Sequence, residues 1–269
     1  MLKRRLIPSL LVRDGQIVQS VQFNHTNIIG NVITAVDFFN TWACDEILIL
    51  DVGRTKSDRN TFLKIVDRLS ERCFVPLSVG GWVSSLEDIE DLLEHGADKV
   101  VINTAAYRDS TFIIAASQRF GSQCIVVSID VRKTPENSYE VYVDRGRVPT
   151  GLPPLDWARK VEALGAGEIL CTSIDRDGMR QGYDNQLISA MTAAVSIPII
   201  AFGGVGDWQH LVDGVVIGHA DAVSAGNIFH FTEHSTKKAK EYMQASGVPV
   251  RDTVFFRVNL PRNPKYRQA

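Results

Sequence analysis

The 269-residue chain lacks most of the signals that would place a protein outside the ordinary globular class. It has only four cysteines, Cys44, Cys73, Cys124 and Cys171. They are far apart, make no C-x-x-C and lie in or beside apolar segments, so they read as buried thiols rather than a zinc site or disulfides. A reducing, cytoplasmic setting fits that usage. The six histidines, His25, His95, His210, His219, His230 and His234, form no pair at metal-ligand spacing; they read as packing or surface residues, and neither metal nor cofactor is expected. No apolar run is long enough to span a membrane. The opening MLKRRLIPSLLV is basic and then apolar, but Pro8 breaks it and no small-residue cleavage site follows, so a strand is expected there rather than a secretory signal. An excess of one charge sign is missing too. With 29 Lys plus Arg against 31 Asp plus Glu, the net charge of -2 gives no general attraction to nucleic acid or an anionic membrane. Any anionic ligand must be held locally.

What the chain does have is alternation. Near-continuous apolar runs at 5–12, 46–51, 76–80, 98–102, 123–130, 168–174, 198–203 and 221–225 read as parallel strands covered on both faces. Between them Phe62, Val66 and Leu69 keep helical spacing, as do Leu86, Ile89 and Leu93, and Trp208, Leu211 and Val215. Ser84 with Glu87 resembles a capping box, and Gly96 and Gly165 read as helix stops. Eight strand-helix units in about 250 residues is the size of a (β/α)8 TIM barrel. Internal echoes support it. EILILD at 46–51 returns as EILCTS at 168–173, VGGW at 79–82 as FGGV at 202–205, ADKVVINT at 97–104 as ADAVSAGN at 220–227, and SLLVRDG at 9–15 as SIDVRKT at 128–134. Four echoes in order at nearly constant spacing predict two related half-barrels, about 1–121 and 122–251, with 252–269 as a C-terminal extension.

In such a barrel the ligand site lies at the C-terminal ends of the strands. Gly80-Gly81 and Asn103-Thr104 close the third and fourth predicted strands; Gly203-Gly204 and Gly226-Asn227 close the seventh and eighth. Two equivalent pockets therefore face each other across the mouth. Glycines let backbone N–H groups approach an anion closely, so opposed cradles imply a long ligand with a phosphate at each end. The plainer alternative is that each Gly-Gly only turns the chain. Asp130 ends the fifth predicted strand, between the pockets, where a carboxylate is placed to exchange protons; a loop-bracing role is its alternative.

GSQCIVVSID, GAGEILCTSIDRDGMRQGYD, ADKVVINTAA and NIFHF closely resemble the cyclase subunit of imidazole glycerol phosphate synthase, over nearly the whole chain up to about Arg251. The resemblance implies a barrel that docks a glutaminase subunit at its N-terminal face, passes ammonia through its core and closes an imidazole ring on a bisphosphorylated ribonucleotide. Aspartates at the ends of the first and fifth strands would serve as general acid and base, and Asp177 and Gly178 would belong to the ligand site. Arg5, Glu46, Lys99 and Glu168, at strand starts, match the family's ring of charges that gates ammonia; solvated strand-start charges are the plainer reading. Asp98 beside them would contact the glutaminase.

The chain departs from that pattern at the mouth. Leu11 stands in place of the first aspartate, Gln19 in place of a mobile-loop lysine, and Trp82 at the third position of Gly-Gly-Gly. Positioned acid-base catalysis supplies roughly a hundred- to ten-thousand-fold in rate, so the loss impairs ring closure. In this respect the chain resembles cyclase-like subunits of surface-polysaccharide pathways. There barrel and glutaminase would supply ammonia to a separate amidotransferase that turns an acetamido sugar into an acetamidino sugar. Two other readings stand beside it. One is a working lyase of histidine biosynthesis, with Asp51 or Asp177 assisting Asp130. The other is a regulatory scaffold that binds a phosphorylated ligand and activates the glutaminase.

Overall fold

The computed structural model describes residues 2–32, 35, 44–53, 59–229 and 235–252. Strand β1 (Arg5–Arg13) is followed by a hairpin of β2 (Gln16–Val21) and β3 (His25–Asn31). Then come β4 (Ile47–Asp51), β5 (Leu77–Gly80), β6 (Lys99–Ile102) and β7 (Ile125–Lys133). A second excursion, β8 (Tyr139–Val143) and β9 (Val148–Pro149), precedes β10 (Glu168–Ser173), β11 (Ile199–Phe202) and β12 (Ala222–Ala225). Eight of these strands pair in parallel in the order β1, β4, β5, β6, β7, β10, β11, β12. Pairing of Arg5 with Ala222 through Pro8 with Ala225 returns the last to the first, so the sheet closes into the expected barrel.

Helices α1 (Arg59–Ser70), α2 (Leu86–Glu94), α3 (Thr104–Arg108), α4 (Thr111–Phe120), α5 (Pro154–Ala163), α6 (Asn185–Ala194), α7 (Trp208–Val216) and α8 (Ser235–Ala245) lie between and after the strands. The expected apolar faces are those buried: Phe62, Val66 and Leu69 in α1, Ile89 in α2, Leu211 and Val215 in α7. None of these helices is long and apolar enough to cross a membrane. The capping box sits one residue later than expected. Ser85 accepts from the Asp88 amide while the Asp88 carboxylate accepts from the amides of Ser84 and Ser85, so Asp88 rather than Glu87 fits the third position.

Side-chain alternation along each strand separates two cores. Leu6, Leu10, Ile47, Ile49, Val100, Ile102, Val127 and Ile129 face the helices. Ile7, Leu48, Val101, Val126, Leu170 and Ile200 face the axis with Leu11, Phe202 and Ala222, making an apolar plug across the barrel. Cys44 and Cys171 are buried and Cys73 and Cys124 half-buried, all four as free thiols. The hairpins were not foreseen. Leu11 pairs with Val18 on β2, and Asp130 with Tyr142 on β8, so both excursions continue the barrel wall upward at the mouth. Phe255-Phe256, like most of the expected C-terminal extension and His230 and His234, lies outside the described residues.

The first and last elements of the described barrel meet at the opposite face. Arg4 N–H donates to Pro249 O at 2.7 Å, and Lys240 Nζ of α8 reaches Asp45 Oδ1 at 2.7 Å with both side chains almost wholly buried. Asp45 also accepts the Leu6 amide at 2.8 Å. Removing one charge of a buried pair leaves the other uncompensated, so Lys240→Met should destabilise the chain by about 3–5 kcal/mol. Chemical denaturation of the two proteins measures the difference.

Candidate active site

A buried carboxylate at the mouth is Asp130, brought to the axis because its strand alternates Val126, Ser128, Asp130 on the inner face. Ser128 Oγ donates to Asp130 Oδ1 at 2.9 Å and Asn103 Nδ2 to Oδ2 at 3.1 Å. Burial pushes the carboxyl up to about 6; hydrogen bonds from Ser128, Thr172 and Asn103 oppose the shift, and the Asp177 charge adds to it. An acid held there is poised to give and take a proton near neutral pH. Ser128 lies two residues before Asp130 on the same face, so strand periodicity alone could have found it.

Other expected ligand residues are engaged with protein. Besides Asp130, Asn103 donates to Ser128 O at 3.0 Å, and Thr104 Oγ1 donates to Asn103 Oδ1 at 3.1 Å. Asp177 is buried and accepts from Ser20 Oγ at 2.6 Å and the Phe23 amide at 3.3 Å, so it anchors the β2–β3 hairpin; burial raises its pKa. Gly178 lies against Ser20, with no room for a Cβ beside the Ser20 carbonyl. Leu11 is buried in the inner core and pairs with Leu50. Asp14, three residues on, is exposed in the β1–β2 turn beside Arg13. Asp51 ends β4 and accepts the Gly53 amide at 2.9 Å. Gln19 sits within the hairpin opposite Asn27.

The two glycine cradles differ. Gly81 has φ +113, and a Cβ there would lie 2.6 Å from Asp51 O; Gly204 has φ +109, and its Cβ would lie 2.2 Å from Gly182 O. Both glycines are thus demanded by the turn itself. Gly80 and Gly203 are likewise buried at strand ends. In the first cradle Trp82 carries the Arg145 guanidinium 4.7 Å above its ring. Arg145 also donates to Gly53 O at 2.6 Å, and the Asp144 amide to Thr104 Oγ1 at 3.0 Å. The β8–β9 turn therefore closes over that side, and sequence reasoning missed Arg145 altogether. The second cradle holds Gly203, Gly204 and Gly226, with Asn227 opening a short 3-10 turn to Phe229; no side chain equivalent to Trp82 follows its Gly-Gly, where Val205 stands.

At the other end of the barrel the four expected charges come together. Arg5 contacts Glu46 at 2.7 Å and Glu168 at 3.0 Å; Lys99 contacts Glu46 at 2.9 Å and Glu168 at 3.1 Å. The result is a closed ring of alternating sign below the apolar plug, with Ser78 Oγ also donating to Glu46 at 2.6 Å. Burial alone would lower the Arg5 pKa, but the two glutamates outweigh it and raise it. Asp98 stands beside the ring, exposed, one carboxylate oxygen accepting the Leu77 amide at 2.8 Å.

A closed parallel barrel with a near-neutral acid at its C-terminal mouth is of the enzyme class of (β/α)8 proteins. Residues 5–235 match the family described as "Histidine biosynthesis protein", and the chain belongs to that family. It is 45% identical over 251 residues to the imidazole glycerol phosphate synthase subunit HisF of Pelodictyon phaeoclathratiforme, covering 93% of this chain and all of that protein. To the protein of the same name from Chloroherpeton thalassium it is 44% identical over the same span. The chain is thus HisF-like.

Because the folded carboxyl of Asp130 holds its proton up to about pH 6 and the unfolded one sheds it near its ordinary value of 3.8, the folded state binds the extra proton between the two. Stability contributed by this group therefore falls as pH rises through that window, by roughly 3 kcal/mol in all. Asp130→Asn should remove the decline, visible as the difference between wild-type and variant denaturation midpoints from pH 4 to 7.

Proposed function

We propose that this chain is the nitrogen-receiving barrel of a glutamine-dependent complex. A glutaminase subunit docks at the N-terminal face around Asp98. Ammonia passes the ring of Arg5, Glu46, Lys99 and Glu168, and a phosphorylated small molecule sits at the mouth beside Asp130. The observation that carries this reading is the closed charged ring centred under the barrel, with all four side chains at most 16% exposed rather than solvated at strand starts. Such a ring excludes ions while its pairs can part for a neutral molecule. Free thiols and the absence of charge excess accord with a cytoplasmic enzyme component.

Two fates for the nitrogen follow, each favoured by a different observation. The mouth geometry favours delivery onward to a separate amidotransferase that makes an acetamidino sugar for surface polysaccharide. Leu11 fills the place of the acid that would face Asp130, and Asp14 and Asp177 are turned to other duties. The names of the relatives, at 44 and 45% identity, favour the other fate: ring closure in histidine biosynthesis within this barrel.

Turnover of the bisphosphorylated ribonucleotide with ammonium salt separates the two. Under the delivery reading wild-type protein is slow and Leu11→Asp gains about a hundredfold or more, the weight of one positioned acid-base group. Rapid wild-type turnover, lost in Asp130→Asn, establishes ring closure instead. Lys99→Met should uncouple glutamine-driven transfer from glutamine hydrolysis in the complex; unchanged transfer would leave only a scaffold role.

A further inference from the structure

The inner wall of the barrel is uneven. On β4, β6, β7, β10 and β11 it is built from Leu48, Val101, Val126, Leu170 and Ile200, whereas β12 carries Ala222 and Ser224, with Gly226 just above, and β1 sets Ser9 between Ile7 and Leu11. Ser9 shares its face with Ile7 and Leu11, and Ser224 with Ala222, so both hydroxyls belong to the axial side. They are diagonal neighbours on adjacent strands: Ile7 pairs with Ser224 and Pro8 with Ala225, a register that carries Ser9 to the level of Gly226. Ser9 packs against Gly226, its Oγ and its carbonyl oxygen each 3.2 Å from where a Cβ on that glycine would stand.

Both serines are wholly buried, 1% and 0% exposed, and neither hydroxyl has a hydrogen-bond partner among the described residues. The other hydroxyls of the inner wall are engaged: Ser78 with Glu46, Ser128 and Thr172 with Asp130. Stranding a buried hydroxyl is costly, and two on one wall mark a place for a guest that can both accept and donate a hydrogen bond. The guest is small, because Ile7 and Leu11 flank the place along β1. It is neutral, because Arg5 and Lys99 guard the way in and the wall between is apolar. Ser9 lies four residues above Arg5, about 13 Å along the strand, and across the barrel from β7, which carries Asp130.

We propose that Ser9 and Ser224 form a waypoint that holds one ammonia molecule inside the barrel, between the charged ring and the mouth. One hydroxyl donates to the nitrogen lone pair and the other accepts an N–H. The small residues of β1 and β12 then define the side along which nitrogen travels. The assignment of ammonia rests on the reading of the barrel as a nitrogen conduit; water offers the same hydrogen bonds and is the competing occupant.

Two measurements on the full chain test it. The first needs no partner: melting temperature at alkaline pH, where dissolved nitrogen is largely neutral ammonia, in ammonium chloride against sodium chloride of equal ionic strength. A ligand that binds only the folded state raises the melting temperature. Wild type should gain, and the Ser9→Ala/Ser224→Ala double variant should not; equal responses overturn the waypoint and leave water. The second uses the complex with its glutaminase, fed amide-labelled glutamine and excess unlabelled ammonium. The labelled fraction of product should fall about fivefold in the double variant, the weight of one hydrogen bond, with glutamine hydrolysis unchanged and Ser224→Thr restoring transfer. An unchanged fraction refutes the waypoint. Failure of the wild-type complex to pass any labelled nitrogen refutes the conduit instead, and the melting experiment then decides the waypoint alone.

Discussion

The ladder between β1 and β12 is the contact on which everything else in this molecule depends. Without it the sheet is an open strip with two bare edges, and the inner faces of eight strands have nothing to face. Once Arg5 pairs with Ala222, the alternation of each strand is converted into an inside and an outside. Charges at the strand starts must then meet, and Arg5, Glu46, Lys99 and Glu168 neutralise one another in a ring. Aliphatic groups fill the middle. Asp130, at the far end, is removed from water by the same closure and pays for it in acidity.

The barrel was legible because parallel strands covered on both sides are apolar at nearly every position, a signal that needs no context. All eight expected strands appear, shifted by at most three residues at their ends. The hairpins β2–β3 and β8–β9 were not legible, for the opposite reason. Residues such as Gln16, Gln19, Asn27 and Glu140 alternate with apolar ones and read as loop; what makes them strands is the rising end of β1 or β7 beside them, a tertiary cause. The capping box slipped by one because Ser84 and Ser85 are both competent caps and only the position of Asp88 decides between them.

At the site, chemistry was easier to foresee than partnership. Asp130 stood out as a carboxylate ending an apolar run, and the ring of charges followed from resemblance to a family. Asn103, Asp177 and Gly178 were expected to meet a ligand, yet their described contacts are with Asp130 and with the hairpin from the first half of the chain. Arg145 went unnoticed since one arginine in a polar loop carries no pattern; only the fold sets it over Trp82, a residue itself held at φ +57. Ser9 and Ser224 hid in the strands that revealed the fold, where a serine counts as filler until its hydroxyl is found without a partner.

The buried contact between Lys240 and Asp45 joins residues 195 positions apart. On the ribosome the aspartate emerges long before its lysine exists. It stays hydrated until nearly the whole polypeptide has been made, and the first strand waits with it for its last neighbour. A nascent chain stalled before β12 therefore carries an unsealed sheet, and one stalled between β12 and α8 leaves Asp45 without its buried cation.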